Sequence, residues 1–478
     1  MLTLLWALPG AGALACALGG RRAALFAPVL SAIAFVLSLA LWGQAGQLSV
    51  SRPWFTGPFG GVVGYDLGLS GLSLLLVALT LLLTTLACVA ARGQGPAFCA
   101  WLAMLGAAAT GMFLARDLVL FYLFWELTLV PVYFLLVGWG GAERRRTAWK
   151  FLYYNIAGSV ALLLAVAALI AFGATMPGGA AGAGVPPAAV GPISLALLIA
   201  FAIKTPLFPL HGWVADTYTD LPAPAAALVS GVQSKAGLYG MLAVLLPLLP
   251  GGVTAWAPWV VAAGIVSVLF GALLALAADD ARRLLAYSSV SHLGLVAVAF
   301  VTLNATAITG GVIQIVAHGL FSAALFLFVG MLEERLGGPV RLSELGGLAR
   351  RAPALAGGLT LLAMAALGLP GLAGFPGELL MIIGIYHYSV WIAALGALGL
   401  VIAAVYMLRL IQLVLHGPGR LAPPDLRAAE RWLLAPLAAL LVVLGVYPNP
   451  VPQLAAAAVA QSLAPPPAAS AAQGGSAQ

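Results

Sequence analysis

The stretch AFAIKTPLFPLHGWVADTYTD, residues 200–220, sets Lys204 in an apolar run and follows it with Pro206, Pro209 and His211. A soluble helix would turn its ammonium group to water. The rest of the chain removes that option: 63% of its 478 residues are hydrophobic and 7% are charged, whereas ordinary soluble domains have roughly a quarter charged. Its apolar runs have the length of about 17–25 residues that carries a helix across a hydrocarbon core of roughly 30 Å, and they lack the alternation of barrel strands. The chain therefore reads as an all-α polytopic membrane protein, and Lys204 sits where a helix crosses oil.

Charged or Gly/Pro-rich breaks divide the chain into fourteen runs, near residues 2–19, 25–43, 70–91, 97–115, 118–138, 150–173, 193–213, 223–247, 256–278, 284–303, 306–332, 353–388, 390–415 and 431–448. The first lacks a basic leader and is followed by further runs, so it reads as a span rather than a cleaved signal. Lys and Arg test the count, because they gather on the cytoplasmic loops of membrane proteins. Seventeen of the twenty-one lie on odd-numbered loops or their edges, Arg52 and Arg116 lie on even ones, and Lys204 and Lys235 are left over. A miscounted span would destroy so one-sided a distribution, which sets both termini outside the cytoplasm. Spans 1–3 then occupy residues 1–96, spans 4–8 residues 97–250, spans 9–13 residues 251–416 and span 14 residues 417–452. The Ala/Pro/Ser-rich residues 453–478 read as a disordered external tail. The net charge of +7 belongs to loops beside anionic lipid and gives no sign of nucleic-acid binding.

Of the acidic residues only Glu126 and Glu378 fall within runs, so Glu126, Lys204, Lys235 and Glu378 stand at membrane depth. Facing lipid, each would cost roughly 2.5–3.5 kcal/mol, so each is expected to face a protein interior with water or partners. A packing ion pair, or a lysine snorkelling to an interface, would explain any one of them. Four on different spans, joined by mid-span histidines, point instead to a proton path. His292 has Ser288 one turn before it and Ser289 nearby, and His318 has Gln314 four residues before it. Each is a polar neighbour at helical spacing, able to set the ring's tautomer.

The helix breaks point the same way. Pro206 and Pro209 interrupt span seven just after Lys204, and Pro370 and Pro376 interrupt span twelve just before Glu378. Proline frees carbonyls that hydrocarbon cannot satisfy, so such breaks persist only where they are buried in protein or line a cavity. Five spans separate the two breaks, as expected if spans 4–8 and 9–13 are two copies of one unit. Five being odd, the copies are inverted, the arrangement that marks a transporter's ion path. No cofactor and no metal is expected in this chain. Cys16, Cys88 and Cys99 have neither C-x-x-C spacing nor a His/Cys cluster, and there is no Gly-rich phosphate loop or dinucleotide fingerprint.

The stretches RDLVLFYLFWELTLVPVYFLLVGWGG (116–141), FAIKTPLFPLHGWVADTYTDLPAPAAALVSGVQSKAGLYG (201–240), RRLLAYSSVSHLGLV (282–296) and GLPGLAGFPGELL (368–380) resemble the proton-translocating antiporter-like subunits of respiratory complex I, over about residues 60–450. Within that family the chain is most similar to the subunit M branch (chain 4) of bacterial NADH-quinone oxidoreductase, because Glu378 stands where subunits L and N and the cation/proton antiporters usually carry lysine. The resemblance implies that Glu126 and Lys204 form an ion pair modulated during pumping, that Lys235, His292 and His318 carry a relay, and that Glu378 is its terminal acid. It also implies NADH, FMN, Fe–S clusters and quinone in partner subunits, and neighbours of the L and N type in a bacterial inner (plasma) membrane. Ser70 stands where the family often has Asp, which puts in doubt any role for nearby Asp66. A subunit of a cation/proton antiporter or of a membrane-bound hydrogenase-type complex would look similar. A membrane scaffold with purely structural charges is the reading without transport.

Overall fold

The computed structural model describes residues 1–56, 62–174, 184–417 and 423–463. Arg420 and residues 464–478 of the expected tail lie outside the described residues. Among the described residues eleven helices, from Gly71–Ala90 to Ala428–Val446, are long and apolar enough to cross a membrane. Leu2–Leu18, Phe26–Ala40 and Pro353–Ala366 are shorter apolar helices.

The helices sort into an inner and an outer set. Ala223–Leu248, Ala281–Val301 and Ala305–Leu336 are each about 94% buried inside the protein along their most apolar stretch, whereas Ala428–Val446 is 22% buried. A helix apolar on all sides can sit in either place, so sequence alone does not separate the sets. Small residues bring the inner helices together. A Cβ on Gly310 would come within 2.6 Å of the Met381 nitrogen, and one on Gly384 within 2.3 Å of the Ala307 nitrogen. Glycine at these crossings lets Ala305–Leu336 lie backbone to backbone on Gly374–Tyr388, as packing in lipid favours.

Both expected breaks are present. Pro187–Lys204 ends at Lys204, turns carry the chain to residue 213, and a short helix Val214–Asp220 follows. Pro353–Ala366 and Gly374–Tyr388 are separated by residues 367–373. Two further breaks were not expected. Leu118–Leu127 and Leu129–Trp139 meet at Thr128, where Pro131 has no N–H to offer the Leu127 carbonyl. The eighth span is divided into Ala223–Gly231, a tight turn Gln233–Lys235, Ala236–Gly240 and a wide-turned segment Met241–Leu245. No proline lies between residues 225 and 246; the poor helix formers in SGVQSKAGLYG (230–240) are the local cause.

Two expectations are corrected. The chain is mostly but not wholly helical, since strands Ser49–Val50 and Leu67–Gly68 pair antiparallel, as do Pro53–Thr56 and Val62–Gly64. This segment is rich in β-branched, aromatic and Gly/Pro residues that suit short ribbons. Residues 450–463 of the region read as span end and disordered tail form a helix, Pro450–Leu463. Pro450 suits a first helical position, the Ala-rich sequence is a good helix former, and Val451, Ala455, Val459 and Ser462 make one buried stripe. This helix packs on Gly71–Ala90 and Ala305–Leu336.

Candidate functional site

The breaks hold the buried charges. Lys204 is the last residue of its helix and 1% exposed, at the carbonyl end that favours a cation. Its Nζ donates to Thr128 Oγ1 at 3.1 Å and lies 4.9 Å from the centre of the Trp125 ring. Thr128 in turn donates to the Trp125 carbonyl at 2.7 Å. The junction created by Pro131 thus supplies both of the lysine's neighbours. Glu126 belongs to the same turn, yet among the described residues no ion pair joins it to Lys204, and its buried Oε1 has no hydrogen-bond partner. The direct Glu126–Lys204 pair implied by the resemblance is open in this structure.

Lys235 closes the tight turn of the eighth span and is 0% exposed. Its Nζ donates to the Ser230 carbonyl, which the break has left without its usual partner, and to Ser234 Oγ at 3.3 Å. It also meets His318 Nδ1 at 2.7 Å. Against an ammonium donor that nitrogen must accept, which puts the imidazole proton on Nε2. The His318 and His292 ring centres are 5.9 Å apart, and Nε2 of each ring is buried without a partner among the described residues.

His292 Nδ1 lies 3.5 Å from Glu378 Oε1 and 3.5 Å from Gln314 Nε2, and Gln314 Nε2 donates to Glu378 Oε1 at 3.3 Å. Glu378 is the fifth residue of Gly374–Tyr388, just past the first turn of a half-helix, as Lys204 is the last residue of another. Lys235, His318, His292 and Glu378 therefore make one buried column. Among the described residues no hydrogen bond links Lys204 to it.

Two expected contacts are corrected. Ser288 and Ser289 donate to the Leu285 carbonyl of their own helix rather than to His292. Gln314 serves His292 and Glu378 rather than His318, because the tight crossing at Gly310 and Gly377 carries it to the neighbouring helix. Helical spacing finds residues on one face; it does not say which neighbour that face meets. Among the described residues no three His, Cys, Asp or Glu side chains are grouped to hold a metal ion.

The pattern of the family described as NADH:quinone oxidoreductase/Mrp antiporter, transmembrane, matches residues 115–403, a range that contains every residue of the column as well as Glu126 and Lys204. The chain belongs to this family. NADH-quinone oxidoreductase subunit M of Mycobacterium tuberculosis is 35% identical to it over 509 residues, covering 94% of this chain and 91% of that protein. A chain of respiratory complex I from Thermus thermophilus, solved with bound NADH, superposes with a TM-score of 0.89 at 32% identity, covering 97% of this chain and all of that one. A chain of the Mrp complex from a Dietzia species reaches 0.87 at 23% identity, covering 97% of each, and shows likeness of fold alone.

In this antiporter-like subunit M homologue the sequence reading missed Thr128, Trp125 and Gly368. The first two adjoin Glu126 in FWELTLVP (124–131), where Pro131 was the available signal of a break. Gly368 has φ +78°, and a Cβ there would come within 2.0 Å of Glu378 Oε2. Its position two residues before Pro370 was a signal of a tight turn, and contact with the carboxylate was not foreseeable from it.

Proposed function

We propose that this chain is the proton-translocating membrane-arm subunit of a bacterial NADH-quinone oxidoreductase, driven by quinone reduction in partner subunits. Those subunits would hold the NADH, FMN, Fe–S clusters and quinone, and antiporter-like subunits of the L and N type would flank this one. The observation that carries the reading is the buried Lys235–His318–His292–Glu378 column, in which each member has the next within 3.5 Å or in ring contact.

In this reading Lys235 gives its proton to His318 Nδ1, the imidazole passes a proton from Nε2 toward His292, and His292 Nδ1 hands it to Glu378. Glu126 and Lys204 act as the switch. How firmly a buried lysine holds its proton depends on whether a carboxylate stands beside it, and the open arrangement with Thr128 and Trp125 is one of its two states. Removing one partner of a buried pair costs about 3–5 kcal/mol. Driving one proton against roughly 150 mV costs about 3.5 kcal/mol. The two are of one size, so closing and opening a single pair is enough to drive one proton electrically. The reading also includes fourteen crossings, inverted repeats over spans 4–8 and 9–13, and both termini on the outer face.

The test is the number of protons moved per electron pair by the assembled complex in proteoliposomes. Glu126→Gln and Lys204→Ala are each expected to remove this subunit's contribution while the complex still assembles. A wild-type ratio in either assembled variant would end the switch.

A further inference from the structure

Lys235 has a second set of polar neighbours that the relay does not use. They lead away from Glu378 toward the arginine-rich face. Ser230 and Ser322 share a hydroxyl–hydroxyl hydrogen bond across the contact between Ala223–Gly231 and Ala305–Leu336. Ser234 donates to the Ser230 carbonyl at 2.8 Å. Beyond them lies Tyr218, 0% exposed, whose hydroxyl faces the Ser230 and Ser234 side chains yet has no hydrogen-bond partner among the described residues.

Just after Tyr218 in sequence the chain is clamped by Arg282, which donates to the Thr219 and Leu221 carbonyls and pairs with Glu333. Arg282 and Glu333 line a groove of about 720 Å³ together with Ala223 and Gly330. Those two residues cross closely, since a Cβ on Gly330 would come within 2.1 Å of Ala223 Cβ. On Ala305–Leu336 the residues His318, Ser322, Phe326 and Gly330 fall at four-residue spacing on one stripe. Phe326 meets the Tyr218 ring edge-on, with centres 5.4 Å apart. Gly330, one turn beyond Phe326, and Arg282, which holds the backbone just after Tyr218, both line the groove, so the two rings and the hydroxyl adjoin it.

We propose that Tyr218 is the proton-selective way in to Lys235, its hydroxyl passing protons from the Arg282–Glu333 groove to the Ser230/Ser234/Ser322 cluster while its ring, closed on Phe326, keeps hydrated cations out. A phenol both donates and accepts, so it can take a proton on one side and release another on the other. A sodium ion would have to shed its water or part the rings, whose centres are 5.4 Å apart. The inference rests on the reading of Lys235 as a relay group.

The test uses the assembled complex in proteoliposomes. Tyr218→Phe retains the ring and is expected to slow proton delivery by roughly a hundredfold, the low end of what a positioned proton-transfer group contributes, so that fewer protons move per electron pair; Tyr218→His is expected to restore them. Phe326→Ala, or Phe326→Leu if the alanine variant does not assemble, is expected to admit radioactive sodium that wild-type vesicles exclude. Wild-type pumping by Tyr218→Phe, with Lys235→Ala deficient, overturns the role of Tyr218 and leaves the relay standing. Wild-type pumping by Lys235→Ala removes the relay itself. Sodium-tight vesicles from the Phe326 variant overturn the seal.

Discussion

Glu378 shows how closely one buried charge is fitted. Gln314 donates to one carboxylate oxygen, His292 stands by the same oxygen, and Gly368 leaves space for the other. Gly368→Ala would place a methyl group within 2.0 Å of Glu378 Oε2 from a backbone at φ +78°. A non-glycine residue in such a conformation costs about 1–3 kcal/mol, and here the carboxylate must also move. The expected outcome is a lower melting temperature of the purified complex together with fewer protons moved per electron pair. Pumping equal to wild type would show that Glu378 tolerates displacement. The burial of Lys204, Lys235 and Glu378 was legible, because charge in an apolar run is conspicuous, whereas Glu126 is only half-buried. Their partners were not, because Thr128, Gln314 and Ser230 are ordinary polar residues until the helices are placed side by side.

Among the elements, Pro450–Leu463 departs furthest from its sequence reading. Composition suggested a disordered tail, but an Ala-rich segment is ambiguous between coil and helix until a surface is available to receive it. The surface is the start of Gly71–Ala90, where a Cβ on Gly71 would come within 1.9 Å of the Leu454 carbonyl oxygen. A chain ending after Leu463 is expected to give a complex as heat-stable as the full chain, and one ending after Asn449 a less stable one. Gly71→Leu should lower the melting temperature in the full chain and add little in the shortened one, since both remove the same contact. Independent, additive losses would show that the helix is not docked there. The breaks at Lys204 and before Glu378 were legible because proline announces them. The break at Lys235 was not, because glycine and serine weaken a helix without dictating where it stops.

For the whole molecule, the one-sided distribution of Lys and Arg predicts orientation. Gly43 and Gly93 lie on loops assigned to opposite faces, and a Cβ at either meets nothing within 4 Å. The three native cysteines are buried, so background labelling is low. In right-side-out vesicles Gly43→Cys is expected to react with a membrane-impermeant maleimide and Gly93→Cys only after the membrane is opened; the reverse pattern would invert the topology. Hydropathy and the basic loops by themselves determined that the chain is a bundle of membrane helices, and lone charges beside prolines marked where those helices are interrupted, because both are local properties of composition. The tertiary structure alone decided which helices are inner, that Lys204 rests on Thr128 and Trp125 rather than Glu126, and that Lys235, His318, His292 and Glu378 align. Those contacts depend on where helices far apart in sequence cross. The crossings are set by small residues that read, in sequence, as unremarkable apolar helix.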